Sequence, residues 1–598
     1  MHPTLLLALL LETILFSLTV MVPPASAQSN PSPGVTIPPG APDAVQESLP
    51  QPSERTPPLP GLSPAAPPAP TLEVPPTAPS QGSPDLRIRF PVKRIDVEGN
   101  TVLQQEIAAL VAEYEQRREL SFEELLELRS RITQLYVNRG YITSGAFLPN
   151  NQLLRDGVIR IQVVEGTVER IDLCLLSPQG EPPTRQAQEA APQNGCGSAH
   201  LQDGYVRSRL AQAATRPVSQ PRIERALQLL QLNPLIQQVN AELTAGSAPG
   251  LNILSVRVRE APAFHAGIGG DNYQSPSIGS GQLSVQASHD DVLGIGDRIN
   301  AGYGRTEGLD SYDVGYAIPV NPQDGTVSFR YSRDESRIVE ARFRRLGIRS
   351  DSETFSLGFR QPIIQEPETE LAVGLQLDLR RSTTFLDGQP FSFSLGPDNG
   401  RSNVTVIRLS QDWVDRSARR VLAARSQFSV GLDAVDATVN NTGTDGRFFS
   451  WLGQFQWVQR LSRRWVLVSR INAQLTPDSL LPLERFGYGG VDTVRGYEQN
   501  QLVTDSGILS SIEARFSPLS DLDQLQLIPF IEGGYGWNNQ FPDPDRAAIA
   551  SVGLGIRWAI TPALSIRVDY GIPLVDVNNR GNSLQDDGLF FSVRYQPF

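Results

Sequence analysis

The spacing of apolar residues changes character along the chain. Apolar positions run almost unbroken from Leu5 to Leu11 and from Ile14 to Val20, and Ala25-Ser26-Ala27 places small residues before Gln28. That is the pattern of a secretory signal over residues 1–27. From Ser29 to about Pro84 apolar residues thin out and proline becomes frequent. Such a stretch buries too little surface to fold, so residues 28–87 are expected to be a disordered, extended linker in which nothing reads as a helix.

From Phe90 the spacing switches between two periods. A strand over Val92 to Val97 ends at Gly99-Asn100. Ile107, Leu110, Val111 and Tyr114 follow at helical spacing, and Leu125, Leu128, Ile132 and Leu135 mark a second helix behind the Ser121/Glu124 capping box. Strands over Tyr141 to Leu148 and Val158 to Glu165 complete a βααββ unit, residues 88–167. A second unit, residues 168–260, is expected to have strands at Val168 to Leu175, Leu235 to Thr244 and Leu251 to Glu260, with a helix over Arg222 to Leu232. A polar insertion, residues 178–204, interrupts it.

After Pro262 only period two remains, from residue 261 to 598. Phe449, Trp451, Gly453, Phe455 and Trp457 alternate with Ser450, Leu452, Gln454, Gln456 and Val458. Trp465, Leu467, Ile471 and Leu475 alternate with a set that includes Arg470, Asn472 and Gln474. Apolar residues on one side and polar ones on the other, with tryptophans near strand ends, predict a transmembrane antiparallel β-barrel with a polar lumen. The available length suits about sixteen strands. Mean hydropathy is −0.22, which a barrel tolerates because its two faces alternate.

Charge and chemistry narrow the function. The formal net charge of −12 argues against nucleic acid as a partner, since phosphate binding needs a basic face. His2, His200, His265 and His289 are scattered and fit no catalytic or zinc pattern. Cys174 and Cys196 are the only cysteines and have only His200 nearby, so no metal site is indicated. No cofactor and no catalytic residue is expected.

One segment stands apart: Arg485-Phe-Gly-Tyr-Gly-Gly-Val-Asp-Thr-Val-Arg-Gly-Tyr497. Gly489, Gly490 and Gly496 allow a tight backbone, and Arg495, between Val494 and Gly496, can aim a forked donor at a fixed partner. With its context, this segment resembles the inward-folded loop of outer-membrane barrels that carry POTRA domains. Arg139-Gly-Tyr-Ile-Thr-Ser-Gly-Ala-Phe-Leu-Pro149 and Ile159-Arg-Ile-Gln-Val-Val-Glu-Gly166 resemble the first POTRA domain of two-partner secretion transporters, the haemolysin activation/secretion type. Ala226 to Ile236 and Ala241 to Gly246 resemble their second.

The resemblance implies two POTRA domains in the periplasm before a barrel in a bacterial-type outer membrane. It implies export, without ATP, of a secreted partner protein, a large β-helical exoprotein recognised while unfolded. It further implies a monomeric barrel in contact with outer-membrane lipid and with the barrel-assembly machinery during biogenesis, which the terminal Leu589 to Phe598 strand would address. In that superfamily the loop arginine meets an acid in a Phe-x-Asp-x-Gly strand. Phe530-Ile-Glu-Gly-Gly534 is the match here, so the lumenal loop motif Val494, Arg495, Gly496, Tyr497 is expected to latch on Glu532. An oxidising periplasm predicts a disulfide between Cys174 and Cys196. A barrel-assembly insertase and a diffusion pore or receptor with POTRA scaffolding are the alternative functions.

Overall fold

A computed structural model describes residues 37–51, 59–60, 72–73, 89–149, 152, 157–179, 196, 199–441, 443–519, 524–577 and 581–597. The expected secretory signal over residues 1–27, much of the proline-rich stretch, most of the 178–204 insertion and the terminal Phe598 lie outside the described residues. Two small α/β units precede a closed barrel of 16 antiparallel strands.

In the first unit, Arg94–Glu98 pairs in parallel with Val158–Val164, which pairs antiparallel with Gly145–Phe147. Helices Gln104–Glu115 and Phe122–Asn138 cover this sheet. The second helix starts where Ser121 and Glu124 form the reciprocal capping box, and its Leu125, Leu128, Ile132 and Tyr136 are fully buried. Glu165 ties the unit's ends together by accepting from the backbone N–H groups of Thr101 and Val102 and from the Tyr136 hydroxyl.

The second unit has the strand order Leu72–Glu73, Ile236–Ala245, Leu251–Glu260, Thr167–Leu176. Its described residues include two helices, Asp203–Ala211 and Gln220–Gln231, where the sequence signals one. The first escapes notice because only Val206 and Leu210 turn inward from it. Cys174 and Cys196 are joined, with their Cα atoms 4.9 Å apart. The unit docks on the barrel's lower rim. Arg209 stacks 3.6 Å over the Tyr205 ring and donates from Nε to Asp324 in the turn after Pro319 at 3.0 Å.

The barrel runs from Phe264–Asp271 to Leu589–Tyr595 and closes by pairing these two strands, from Ile268↔Tyr595 to Asp271↔Ser592. Phe449, Phe455, Trp457, Trp465 and Ile471 are exposed on its outer wall, whereas Ser450, Leu452, Gln456 and Val458 are buried on the inner side.

The proline-rich stretch departs from its expected form. Ala41–Ser48 is a helix lodged in the lumen near the upper rim. Ala41, Ala44 and Val45 pack against Ile278, Leu309, Ile338, Phe343 and Ile348. Gly40, at φ 86°, starts the helix, and Pro42 sits in its first turn, where a missing N–H does no harm. Eight residues cannot hold a helix in water; the apolar face that barrel loops cover supplies the stability. Below the helix, Leu59 and Pro60 offer their carbonyls to Gln456 on the inner wall. Leu72–Glu73 then adds in parallel to the edge of the second unit's sheet, with Leu72 in that unit's core. The described parts of the stretch thus lie in chain order from the upper rim, past the inner wall, to the periplasmic side; together they are the threaded segment.

Candidate functional site

The segment between strands Trp465–Leu475 and Ser506–Phe516 leaves the upper rim and folds down into the lumen. A 3-10 turn, Pro482–Glu484, leads into a short hairpin in which Phe486–Tyr488 pairs with Leu502–Thr504. At the tip, Gly489, Gly490 and Gly496 have φ of 110°, 99° and 96°, conformations that need glycine. Thr493 Oγ1 accepts from the Gly489 N–H at 2.9 Å, and the Val494 carbonyl accepts from the Gly490 N–H. Phe486, Tyr488, Val494 and Tyr497 form an apolar cluster with Leu509 and Ile549 of the wall.

This tight turn aims Arg495, only 1% exposed, at the wall. Its backbone N–H donates to Glu532 Oε2 at 2.8 Å and its Nε to both Glu532 oxygens at 3.1 Å. Nη1 reaches Asp569 Oδ1 at 2.7 Å and Nη2 reaches Glu513 Oε1 at 2.9 Å. The guanidinium carbon lies 3.5 Å from the centroid of the Phe530 ring. Arg515 and Arg567 pair from the other side with Glu513 and Asp569. Burial alone would disfavour the Arg495 cation, but the Glu532 hydrogen bond and charge, with Glu513 and Asp569, hold its pKa above the ordinary value. The Tyr497 hydroxyl donates toward the carbonyls of Ala550 at 2.8 Å and Val575 at 2.9 Å. A Cβ on Gly571 would come within 2.6 Å of the Arg495 and Gly496 backbone, so that strand glycine is what lets the loop seat.

The geometry thus brings Arg495 and Glu532 together and adds three residues the sequence did not single out: Glu513, Asp569 and Gly571. A local signal existed for the acids. Glu513 follows the lipid-facing Ile512, and Asp569 follows the lipid-facing Val568, so each is a charge on the lumen side of an alternating strand. Cys174 and Cys196 are remote from this site, in the second α/β unit.

The other limb of the loop meets the opposite wall and the threaded segment. Glu484 accepts from Arg380 and Arg408, and the Pro482 carbonyl accepts from Gln46 at 3.1 Å. Near the upper rim, Glu498 faces Asp586. Burial, that hydrogen bond, and the charges of Asp586, Glu47 and Glu340 push its carboxyl up to about 10. A cavity of about 950 Å³ opens above the loop, bordered by Phe391, Phe393 and Phe541. Among the described residues no disulfide ties the loop or the helix to the wall; the one disulfide, Cys174–Cys196, lies in the second α/β unit.

Residues 250–558 match the family model described as haemolysin secretion/activation protein ShlB/FhaC/HecB, and residues 90–166 match the POTRA domain, ShlB-type. The chain is 23% identical over 505 residues to the outer membrane transporter CdiB of Dickeya dadantii, covering 81% of this chain and 83% of that one. It is 21% identical over 527 residues to the heme/hemopexin transporter protein HuxB of Haemophilus influenzae, covering 82% and 85%. The solved structure of CdiB from Escherichia coli superimposes with a TM-score of 0.62 at 20% identity, covering 87% of this chain and 92% of that one.

Proposed function

The chain belongs to the haemolysin secretion/activation protein ShlB/FhaC/HecB family, and from that premise we propose how it handles its cargo. As a member it is an outer membrane transporter, with periplasmic POTRA domains, that secretes a partner exoprotein; it is not an enzyme. The cargo is a large exoprotein that reaches the periplasm unfolded. It binds as an added strand on the second α/β unit, passes through the lumen as the Arg495 loop and the threaded segment move aside, and folds outside. Strand addition reads backbone more than side chains, which suits a client that must slide. Folding beyond the membrane gives direction without ATP.

One observation carries this reading: the lumen is filled by two parts of the chain held through hydrogen bonds, ion pairs and small apolar contacts. The edge of Ile236–Ala245 supports the binding step, because Leu72–Glu73 already pairs there and a two-residue strand is easily displaced. One relative is named for heme/hemopexin transport and another simply as an outer membrane transporter, so the client of this chain is defined by chemistry alone.

Deleting the gene and comparing secreted proteins with the outer-membrane profile tests the proposal. Loss of one or a few large exoproteins with other barrels intact is expected. General loss of barrels would instead favour barrel assembly, and no change in either would favour a pore.

A further inference from the structure

The Arg495 cluster binds the loop tip to strands Ser506–Phe516, Leu525–Trp537 and Leu564–Pro573. A separate buried ion cluster lies at the loop's first limb, on strands Thr369–Leu386 and Arg401–Arg416. Arg380 and Glu484 are each 2% exposed. Arg380 Nη1 donates to Glu484 Oε1 at 2.7 Å and also to the Leu483 carbonyl. Its Nη2 donates to the carbonyl of Pro50, just past the lumenal helix, at 3.1 Å. Arg408 completes the cluster, donating from Nη2 to both Glu484 oxygens at 2.9 and 3.0 Å and from Nε to Asp378 at 2.7 Å. Two guanidiniums thus face two carboxylates.

We propose that Arg380 and Glu484 form a second latch, which couples the threaded N-terminal segment to the inward loop so that releasing either loosens the other. This rests on the reading that both parts move aside during transport. Arg380 is the joint, because a single guanidinium serves the wall, the loop and the threaded segment. Among the described residues its Nε is buried without a hydrogen-bond partner, so the side chain has no spare acceptor there to fall back on. If the segment withdraws, Arg380 loses the Pro50 carbonyl and its grip on Glu484 weakens. If the loop withdraws, it loses Glu484 and Leu483 and keeps only Pro50. Stranding a buried charge is costly, so the intermediate with one part gone is disfavoured, which is a coupling free energy between the two. Contacts along the seam reinforce it: Gln46 donates to the Pro482 carbonyl and Asn500 to the Glu47 carbonyl.

Spin labels on full-length protein in liposomes read the coupling directly. One label is placed at Asp43→Cys on the helix and, in a separate sample, one at Val503→Cys on the loop's hairpin, beside the Glu484 limb and bordering the open cavity; the native cysteines are joined and take no label. Glu484→Gln removes the loop's charge, and among the described residues Glu484 makes no hydrogen bond to the threaded segment. The expected result is a rise of at least about fivefold in the mobile-to-immobile ratio at position 43. Deleting residues 37–51 is expected to do the same at position 503. Should Glu484→Gln not assemble, Arg380→Lys keeps the cation but loses the fork and is expected to loosen both labels. A label at position 43 that stays immobile while the loop label is freed would overturn the coupling. So would a loop label unmoved by the deletion. Neither readout involves a client, so failure of this latch is distinguishable from failure of the transport proposal.

Discussion

At the scale of single residues, Arg495 decides whether the loop tip stays seated. Its guanidinium is shared by Glu532, Asp569 and Glu513. Arg495→Ala leaves those carboxylates short of a cation in a shielded site, a loss of about 3–5 kcal/mol of docking free energy. More frequent opening of the reconstituted channel is the expected outcome. Arg495→Lys should restore only part of the closure, because one ammonium cannot reach three carboxylates in a fixed plane; wild-type behaviour would count against the forked pairing. Gly571→Ala is expected to unseat the same tip without touching a charge, since its methyl meets loop backbone that cannot yield, and protease sensitivity at the loop tip measures this. Arg495 was legible in the sequence because glycines frame it, and Glu532 only through the resemblance to barrels whose loop arginine meets an acid in a Phe-x-Asp-x-Gly strand. Arg380, Arg408 and Glu484 were not, since each is an ordinary charged residue until barrel closure brings the walls together.

At the scale of elements, the lumenal helix shows where sequence pattern fails. Ala41, Ala44, Val45 and Ser48 do fall at helical spacing, but prolines surround them and the face is small, so only the barrel makes the helix stable. The first helix of the second α/β unit was hidden because only Val206 and Leu210 turn inward from it, whereas Phe122–Asn138, with its capping box and four buried apolar positions, was plain. The helix also carries a pH dependence. With helix and loop docked, Glu498 holds its proton up to about 10, through burial first and then Asp586, Glu47 and Glu340; Glu47 on the helix is likewise raised, by burial and then Asp43. The docked state therefore binds more protons than the undocked one. Docking is fully favoured at low pH and weakens as pH rises from about 4.5 toward about 10. Channel opening should increase across that window, and Glu498→Gln, which cannot ionise, should flatten the rise. Opening that decreases with pH would contradict the assignment.

At the scale of the whole molecule, the order of parts was readable because each obeys its own period. Mixed helical and strand spacing gave the α/β units, and strict alternation gave a barrel whose strand number followed from length. The path of the N-terminal stretch was not readable, because no local feature says that a proline-rich chain threads a lumen. The proposed transport through that lumen has the loop leave the wall. Val494 and Gly534 offer the most direct test, as a Cβ at Gly534 would lie 3.6 Å from Val494 Cγ2, within reach of a crosslink once the end of Leu509 gives way and the Tyr488 ring, 3.2 Å away, shifts by a few tenths of an ångström. In a chain carrying Cys174→Ser and Cys196→Ser, Val494→Cys with Gly534→Cys should stop secretion of the partner exoprotein when oxidised and restore it on reduction. Secretion that continues at the wild-type rate with the crosslink fully formed would contradict passage past a moving loop.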